Sequence, residues 1–307
     1  MKNNFLNLKD IHLNDLRAIL SEALRIKDLR VNCLNGKKDE DKVLSDVITA
    51  LIFEKPSTRT RFSFDVGIRQ LGGQTITSSS ADMHLGKNEN VSDTAKVLSR
   101  YVDLVMLRTF DEKILFEFCE HSAVPVINGL TDQSHPCQVL ADIFTYEEKR
   151  GSISGKKVTW AGDGNNVCNS YLEAAGKFGF NFCFYGPQGC LPDRSLIESA
   201  EKCGGKVLVT EDPEEAFYNA DLVVTDTWVS MHEIEKKQKR ELFSAFQVTS
   251  KKMSLAKKDS IFLHCLPAHR GEEVTDEVID GPNSQVFEAA ENRLHVQKAI
   301  IKWVLKI

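Results

Sequence analysis

Short strand-like runs recur along the chain at 47–53, which is apolar and β-branched, and at 103–107, 124–128, 157–161, 181–185, 206–210, 222–225 and 261–264. Between them lie stretches at helical spacing, among them 111–120, 137–149, 192–203 and 233–246. Strands alternating with helix-length segments predict parallel sheets covered by helices on both faces. The expected fold class is therefore α/β. A chain of 307 residues is long for one core and suits two such domains. The small-residue turn at 150–155 is read as close to their boundary. The last stretch, 292–307, carries Leu294, Ala299, Ile300, Ile301, Val304 and Leu305 in a helical pattern and is expected to cross back onto the first domain.

Charge narrows the function classes. A net charge of −5 argues against a nucleic-acid coat or a basic membrane-surface protein. An anionic substrate must then be held by a local group of arginines, not by the overall field. The first residues have no apolar core of signal-peptide length, and no run approaches a membrane span. A cytoplasmic location is expected. The eight cysteines contain no Cys-x-x-Cys pair and no histidine pair has zincin spacing, so no metal site is expected. In that compartment the thiols are expected to be reduced, most of them as small apolar fillers.

The stretch Ser57-Thr58-Arg59-Thr60-Arg61 follows one of the apolar runs, and Phe62, Val66 and Arg69 then fall at helical spacing up to Gly72-Gly73. Two hydroxyls and an arginine thus sit at a strand-to-helix turn, where unpaired helical N–H groups and the positive dipole end converge. Such a turn is an anion site, and Arg59 adds a forked donor matched to phosphate oxygens. An N-cap beside a surface arginine is the plainer alternative. Glu54-Lys55-Pro56 before the string makes it less ordinary and favours a phosphate or carbamoyl-phosphate cradle.

Further polar strings are Arg108-Thr109, which closes a strand, His135-Pro136-Cys137-Gln138, which opens a helix, Asp226 through Met231 and His264-Cys265-Leu266-Pro267 at strand ends, and Gly162-Asp163-Gly164-Asn165-Asn166, Ala268-His269-Arg270-Gly271-Glu272-Glu273 and Glu291-Asn292-Arg293. With the Ser-Thr-Arg-Thr turn they resemble, in order and over essentially the whole chain, the ornithine carbamoyltransferases of the carbamoyltransferase family. The resemblance implies a carbamoyl-phosphate-binding domain at 1–150, joined by the C-terminal helix 292–307, and an ornithine-binding domain at 151–291. It implies transfer of a carbamoyl group from carbamoyl phosphate to the side-chain amine of L-ornithine, with no cofactor. Carbamoyl phosphate would lie on Ser57, Thr58, Arg59 and Thr60, with Arg108 and Arg293 completing the clamp. His135 and Gln138, with Thr60 and Arg108, would polarise the carbamoyl oxygen as an oxyanion site does. Asn166, Asp226, Ser230 and the backbone of Met231 would hold the α-carboxylate and α-ammonium. Cys265 and the Leu266 carbonyl would meet the attacking amine, which must shed a proton from a pKa near about 10.4. Arg108, His135 and Cys265 are thus the expected catalytic groups, Cys265 without a covalent role. The resemblance further implies a homotrimer in which His84, on the loop 81–89, reaches the neighbouring subunit's site, ahead of a helix capped at Ser92.

One residue departs from the family pattern. His232 stands after Ser230-Met231 where the family has glycine, so side-chain selectivity is the least constrained part of the resemblance. Siblings acting on putrescine or N-acetylornithine are the near alternatives. Putrescine would leave Asp226, Ser230 and Asn166 without a carboxylate-bearing partner. A nicotinamide-dependent dehydrogenase is a poor fit: Val167 occupies the place of the third fingerprint glycine, and no acidic residue ends the next strand.

Overall fold

The computed structural model describes residues 2–79, 83, 89–228 and 236–307. The chain forms two compact units, Met1–Leu140 with Glu291–Ile307, and Ala141–Ala290. The first holds strands β1 (Ile48–Phe53), β2 (Gln74–Ser79), β3 (Leu104–Arg108) and β4 (Val126–Leu130), in the order β2-β1-β3-β4. The second holds β5 (Lys157–Ala161), β6 (Asn181–Tyr185), β7 (Val207–Thr210), β8 (Leu222–Thr225) and β9 (Ile261–His264), in the order β7-β6-β5-β8-β9. Every pairing is parallel.

The helices are α1 (Leu13–Asp28), α2 (Arg59–Gln70), α3 (Val91–Leu98), α4 (Glu112–His121), α5 (Pro136–Arg150), α6 (Asn166–Phe178), α7 (Arg194–Lys202), α8 (Pro213–Phe217), α9 (Lys236–Phe243), α10 (Ser250–Met253), α11 (Asp276–Ile279) and α12 (Val286–Leu305). The α/β fold is as expected, and from Glu291 onward α12 belongs to the first unit.

Both sheets are doubly wound, and that decides where a site can form. In the first sheet β1 lies between β2 and β3, so the strand order reverses between β1 and β3. In the second β5 lies between β6 and β8, and the reversal falls between β5 and β8. Loops leaving the carboxyl ends of strands at a reversal diverge and leave a crevice. Ser57–Thr60 follows β1, and Arg108 ends β3. Gly162–Asn165 follows β5, Asp226 follows β8, and Cys265 follows the adjacent β9.

Several local expectations need correction. β2 was not expected. Its sequence Gln-Thr-Ile-Thr-Ser-Ser is mostly polar, as suits an edge strand that among the described residues pairs with β1 alone. β4 runs two residues later than 124–128 and pairs with β3 through an irregular register between Leu107 and Arg108. The N-cap position of helix α3 is Asn90, not Ser92, and its side chain makes no cap bond. The 233–246 segment resolves into α9 and a following 3-10 turn, Ser244–Phe246, with 233–235 outside the described residues. Helix α12 starts at Val286, six residues before the expected start at 292.

Gly164 shows why the turn after β5 needs a glycine. A Cβ there would run into the backbone of Leu191, 2.5 Å from its carbonyl carbon, and into Pro192 N. The Gly164 N–H donates to the Cys190 carbonyl at 2.9 Å, so the loops cannot separate cheaply. Gly164→Ala should lower stability by about 1–3 kcal/mol through overpacking. A thermal melt that coincides with wild type would show that the loop yields.

Candidate active site

The first cluster is built around Thr60. Its hydroxyl, on the first turn of α2 and almost fully buried, receives Arg293 Nη2 at 2.9 Å and Arg108 Nη1 at 3.4 Å. The helix start differs from a simple cap. Thr58 makes no side-chain cap bond, and Ser57 Oγ instead accepts the Thr60 N–H at 3.2 Å. That leaves the Arg59 fork on the same turn, half-buried.

His135 stands immediately before α5, and its carbonyl accepts the first helical N–H groups, from Gln138 and Val139. Its side chain is only 4% exposed. Burial first, then Arg293, Arg108 and Arg59, hold its pKa well below the ordinary imidazole value. His135 is therefore neutral at physiological pH and can donate one N–H without adding charge. Gln138, one turn on, is equally buried. The intervening Cys137 thiol is pushed up to about 12 by burial and bonds the Asn128 carbonyl, so it is an inert filler.

The same shift makes stability depend on pH. An unfolded imidazole binds a proton near about 6.5, while folded His135 does not, so the unfolded state takes up more protons below that pH. Stability should fall as pH drops below about 6.5, by up to about 1.4 kcal/mol per pH unit, until the folded group titrates. Urea unfolding between pH 8 and 5 checks this. His135→Gln should flatten that slope, and equal slopes in the two proteins would refute the assignment.

Glu54 and Lys55 tie the strand ends of this cluster together. Glu54 accepts from the Thr109 hydroxyl and from the Phe110 N–H at 3.3 Å, next to Arg108. Lys55 pairs with Asp132 in the loop before α5 and lies 4.4 Å over the Phe110 ring. Both residues sat in the sequence string, but no local signal gave them these partners.

The second cluster is built around Asp226, which is 9% exposed. Its Oδ1 accepts Thr227 N at 2.7 Å and Cys265 Sγ at 3.0 Å, and its Oδ2 accepts Asn165 Nδ2 at 2.9 Å. The structure thus joins Asp226 and Cys265, two residues that sequence reasoning placed at one substrate. Asn166, also expected there, is the first residue of α6. Leu266 adopts φ 58, a conformation a leucine keeps only when its surroundings hold it, and its N–H donates to His264 Nδ1 at 2.8 Å. His264 Nε2 lies 3.2 Å from Glu273 Oε1, with both side chains fully buried. Asn165, His264 and Glu273 were missed as site residues.

Asp226, His264 and Cys265 bring three possible metal-ligating atoms within 4.8 Å, as do His269, Glu272 and Glu273. In the first group, however, both ring nitrogens of His264 are engaged, one by Leu266 N–H and one by Glu273. A metal there would have to displace one of these bonds. His84, Ser230, Met231 and His232 lie outside the described residues.

Two family descriptions fit the chain, one over each half. Residues 3–148 match the family description "Aspartate/ornithine carbamoyltransferase, carbamoyl-P binding domain", and residues 154–304 match "Aspartate/ornithine carbamoyltransferase, Asp/Orn binding domain". The chain belongs to the aspartate/ornithine carbamoyltransferase family. A relative named ornithine carbamoyltransferase from Roseobacter denitrificans is 56% identical over 310 residues, covering 99% of this chain and 100% of the relative. One of the same name from Ruegeria pomeroyi is 53% identical over 305 residues, covering 99% of each. The solved ornithine carbamoyltransferase from Pyrococcus furiosus superposes with a TM-score of 0.93 at 44% identity, covering 99% of this chain and 97% of that one.

Proposed function

We propose that this chain transfers the carbamoyl group of carbamoyl phosphate to the side-chain amine of L-ornithine, giving L-citrulline and phosphate. The observation that carries the reading is the Thr60 hydroxyl held by Arg108 and Arg293 beside a buried, neutral His135. That combination suits a phosphate joined to a carbonyl that must be polarised. Ser57, Thr58, Arg59 and Thr60 would take the phosphate, and Arg108, His135 and Gln138 the carbamoyl group. The neutral amine attacks the carbonyl carbon, the tetrahedral intermediate places negative charge on the carbamoyl oxygen, and the C–O bond to phosphate breaks. The departing phosphate accepts the proton the amine loses. Since carbamoyl phosphate brings its own leaving group, the chemistry needs no cofactor.

At the amino-acid end, Asp226 suits the α-ammonium, with Asn166, Ser230 and Met231 beside it. Cys265 and the Leu266 carbonyl suit the attacking amine, and the Cys265–Asp226 contact supports grouping them. We assign residues 1–150 with 292–307 to carbamoyl phosphate and 151–291 to ornithine. A homotrimer with His84 reaching a neighbouring site belongs to the same reading; Phe62 and Ile76, exposed on α2 and edge strand β2, suit a subunit contact. So do a place in arginine biosynthesis and a cytoplasmic location; among the described residues no helix is long and apolar enough to cross a membrane. Citrulline or product formation measured with ornithine, putrescine and N-acetylornithine side by side tests the reading. Turnover greatest with ornithine supports it, and preference for either other amine overturns the substrate assignment.

A further inference from the structure

We infer that Asn165 is a positioning residue for the amino-acid end of the site, its amide fixing the carboxylate of Asp226 in the orientation that receives the α-ammonium of ornithine. The inference rests on the proposed function for its substrate, but its geometry stands alone. Asn165 is the N-cap of α6, and its Oδ1 accepts Val167 N at 2.9 Å and Cys168 N at 3.1 Å. With the oxygen committed to the helix, the amide cannot flip, and Nδ2 is left to donate to Asp226 Oδ2 at 2.9 Å. The start of a helix that is buried almost all round thereby sets one carboxylate on the neighbouring strand end.

Counting lone pairs shows what this leaves. A carboxylate offers about four acceptor positions. Oδ1 is taken by Thr227 N and Cys265 Sγ, with Thr227 Oγ1 at the margin at 3.5 Å, and Oδ2 by Asn165. Among the described residues one position on Oδ2 remains for a further donor such as an ammonium. Ser, Thr, Asp and Asn all cap helices well. Of the four, only Asn combines a fully occupied acceptor with a separate N–H, so a residue needed only as a cap had three other solutions.

That difference separates the two roles. Asn165→Asp keeps the cap but puts a carboxylate oxygen where the donor stood, facing Asp226. Asn165→Ser keeps a capping hydroxyl and loses the reach. Asn165→Ser should melt within about 2 °C of wild type, and Asn165→Asp lower, because two facing carboxylates repel. In Asn165→Asp the KM for ornithine should rise about tenfold or more, and in Asn165→Ser by less, with the carbamoyl-phosphate dissociation constant within about twofold of wild type in both. Crystal structures of the variants should find Asp226 rotated out of its 3.0 Å contact with Cys265. A wild-type ornithine KM in Asn165→Asp overturns the inference, as does an ornithine defect that merely tracks lost thermal stability in both variants. If the wild-type protein does not carbamoylate ornithine, the functional reading fails, and the crystallographic arm still decides: Asp226 unmoved in Asn165→Asp reduces Asn165 to a helix cap.

Discussion

Arg293→Ala should weaken carbamoyl-phosphate binding by about a hundredfold and lower kcat/KM by about a thousandfold or more, while the protein remains folded. Arg293 is 3% exposed and donates to Thr60 Oγ1 at 2.9 Å, so its guanidinium is already desolvated and aimed before any ligand arrives. A charge-assisted bond from such a group contributes about 1.5–3 kcal/mol, and a forked donor can make two of them to one phosphate. The loss should exceed that in Arg59→Ala, because Arg59 is half-buried and more of its gain is screened by water. Arg293→Lys keeps the charge and loses the fork, so it should fall between the two. A second readout is independent of turnover. Arg293 is the leading charge that holds His135 down, after burial itself. In Arg293→Ala the His135 pKa should therefore move up, followed by NMR titration. Calorimetry with carbamoyl phosphate gives the direct answer, and a dissociation constant within twofold of wild type would put the phosphate elsewhere.

What the sequence disclosed and what it hid divide along a physical line. Strands β5, β6, β8 and β9 lie where the apolar runs placed them, because nearly every residue of each is buried, in central β5, β6 and β8 and in edge strand β9 alike. Edge strand β2 escaped because half of it faces water. Helix α6 escaped although Asn166, Asn169, Ser170, Glu173 and Lys177 stand at helical spacing in its sequence; in the fold Val167 through Ala175 are all buried, the polar ones included. Helix α1 could have been read, since Leu16, Ile19, Leu20, Ala23 and Ile26 form a regular buried stripe. At the site, residue types were legible because a strand-to-helix turn with hydroxyls and an arginine has local meaning. The pairings were not. Asn165 meets Asp226 across 61 residues, Cys265 meets Asp226 across 39, and Glu54 meets Thr109 across 55. Only the winding of the sheets brings those partners to one strand edge, and no periodicity in the chain encodes it.

Asp226→Asn should be nearly as damaging to ornithine use as Asp226→Ala, lowering kcat/KM for ornithine by about a thousandfold with carbamoyl-phosphate affinity unchanged. The substitution looks conservative, since shape and size are kept. The surrounding donors make it otherwise. With its NH2 placed at the Oδ2 position, the new side chain faces Asn165 Nδ2, a donor against a donor at 2.9 Å. Flipped, its NH2 faces the Thr227 N–H at 2.7 Å and the Cys265 thiol at 3.0 Å. No orientation of an amide satisfies three donors that were arranged for a carboxylate, and leaving a buried polar group unmatched costs about 1–3 kcal/mol beyond the lost charge. Cys265→Ala removes one of those donors without opposing the others, so its effect should be smaller. Because both side chains meet at Oδ1, the double variant Asp226→Asn with Cys265→Ala should lose less than the product of the two single losses. Steady-state kinetics with ornithine varied, alongside calorimetry with carbamoyl phosphate, separates the two ends of the reaction. Full ornithine activity in Asp226→Asn would mean that the carboxylate serves the fold of the β8 loop and that the α-ammonium is held by other groups.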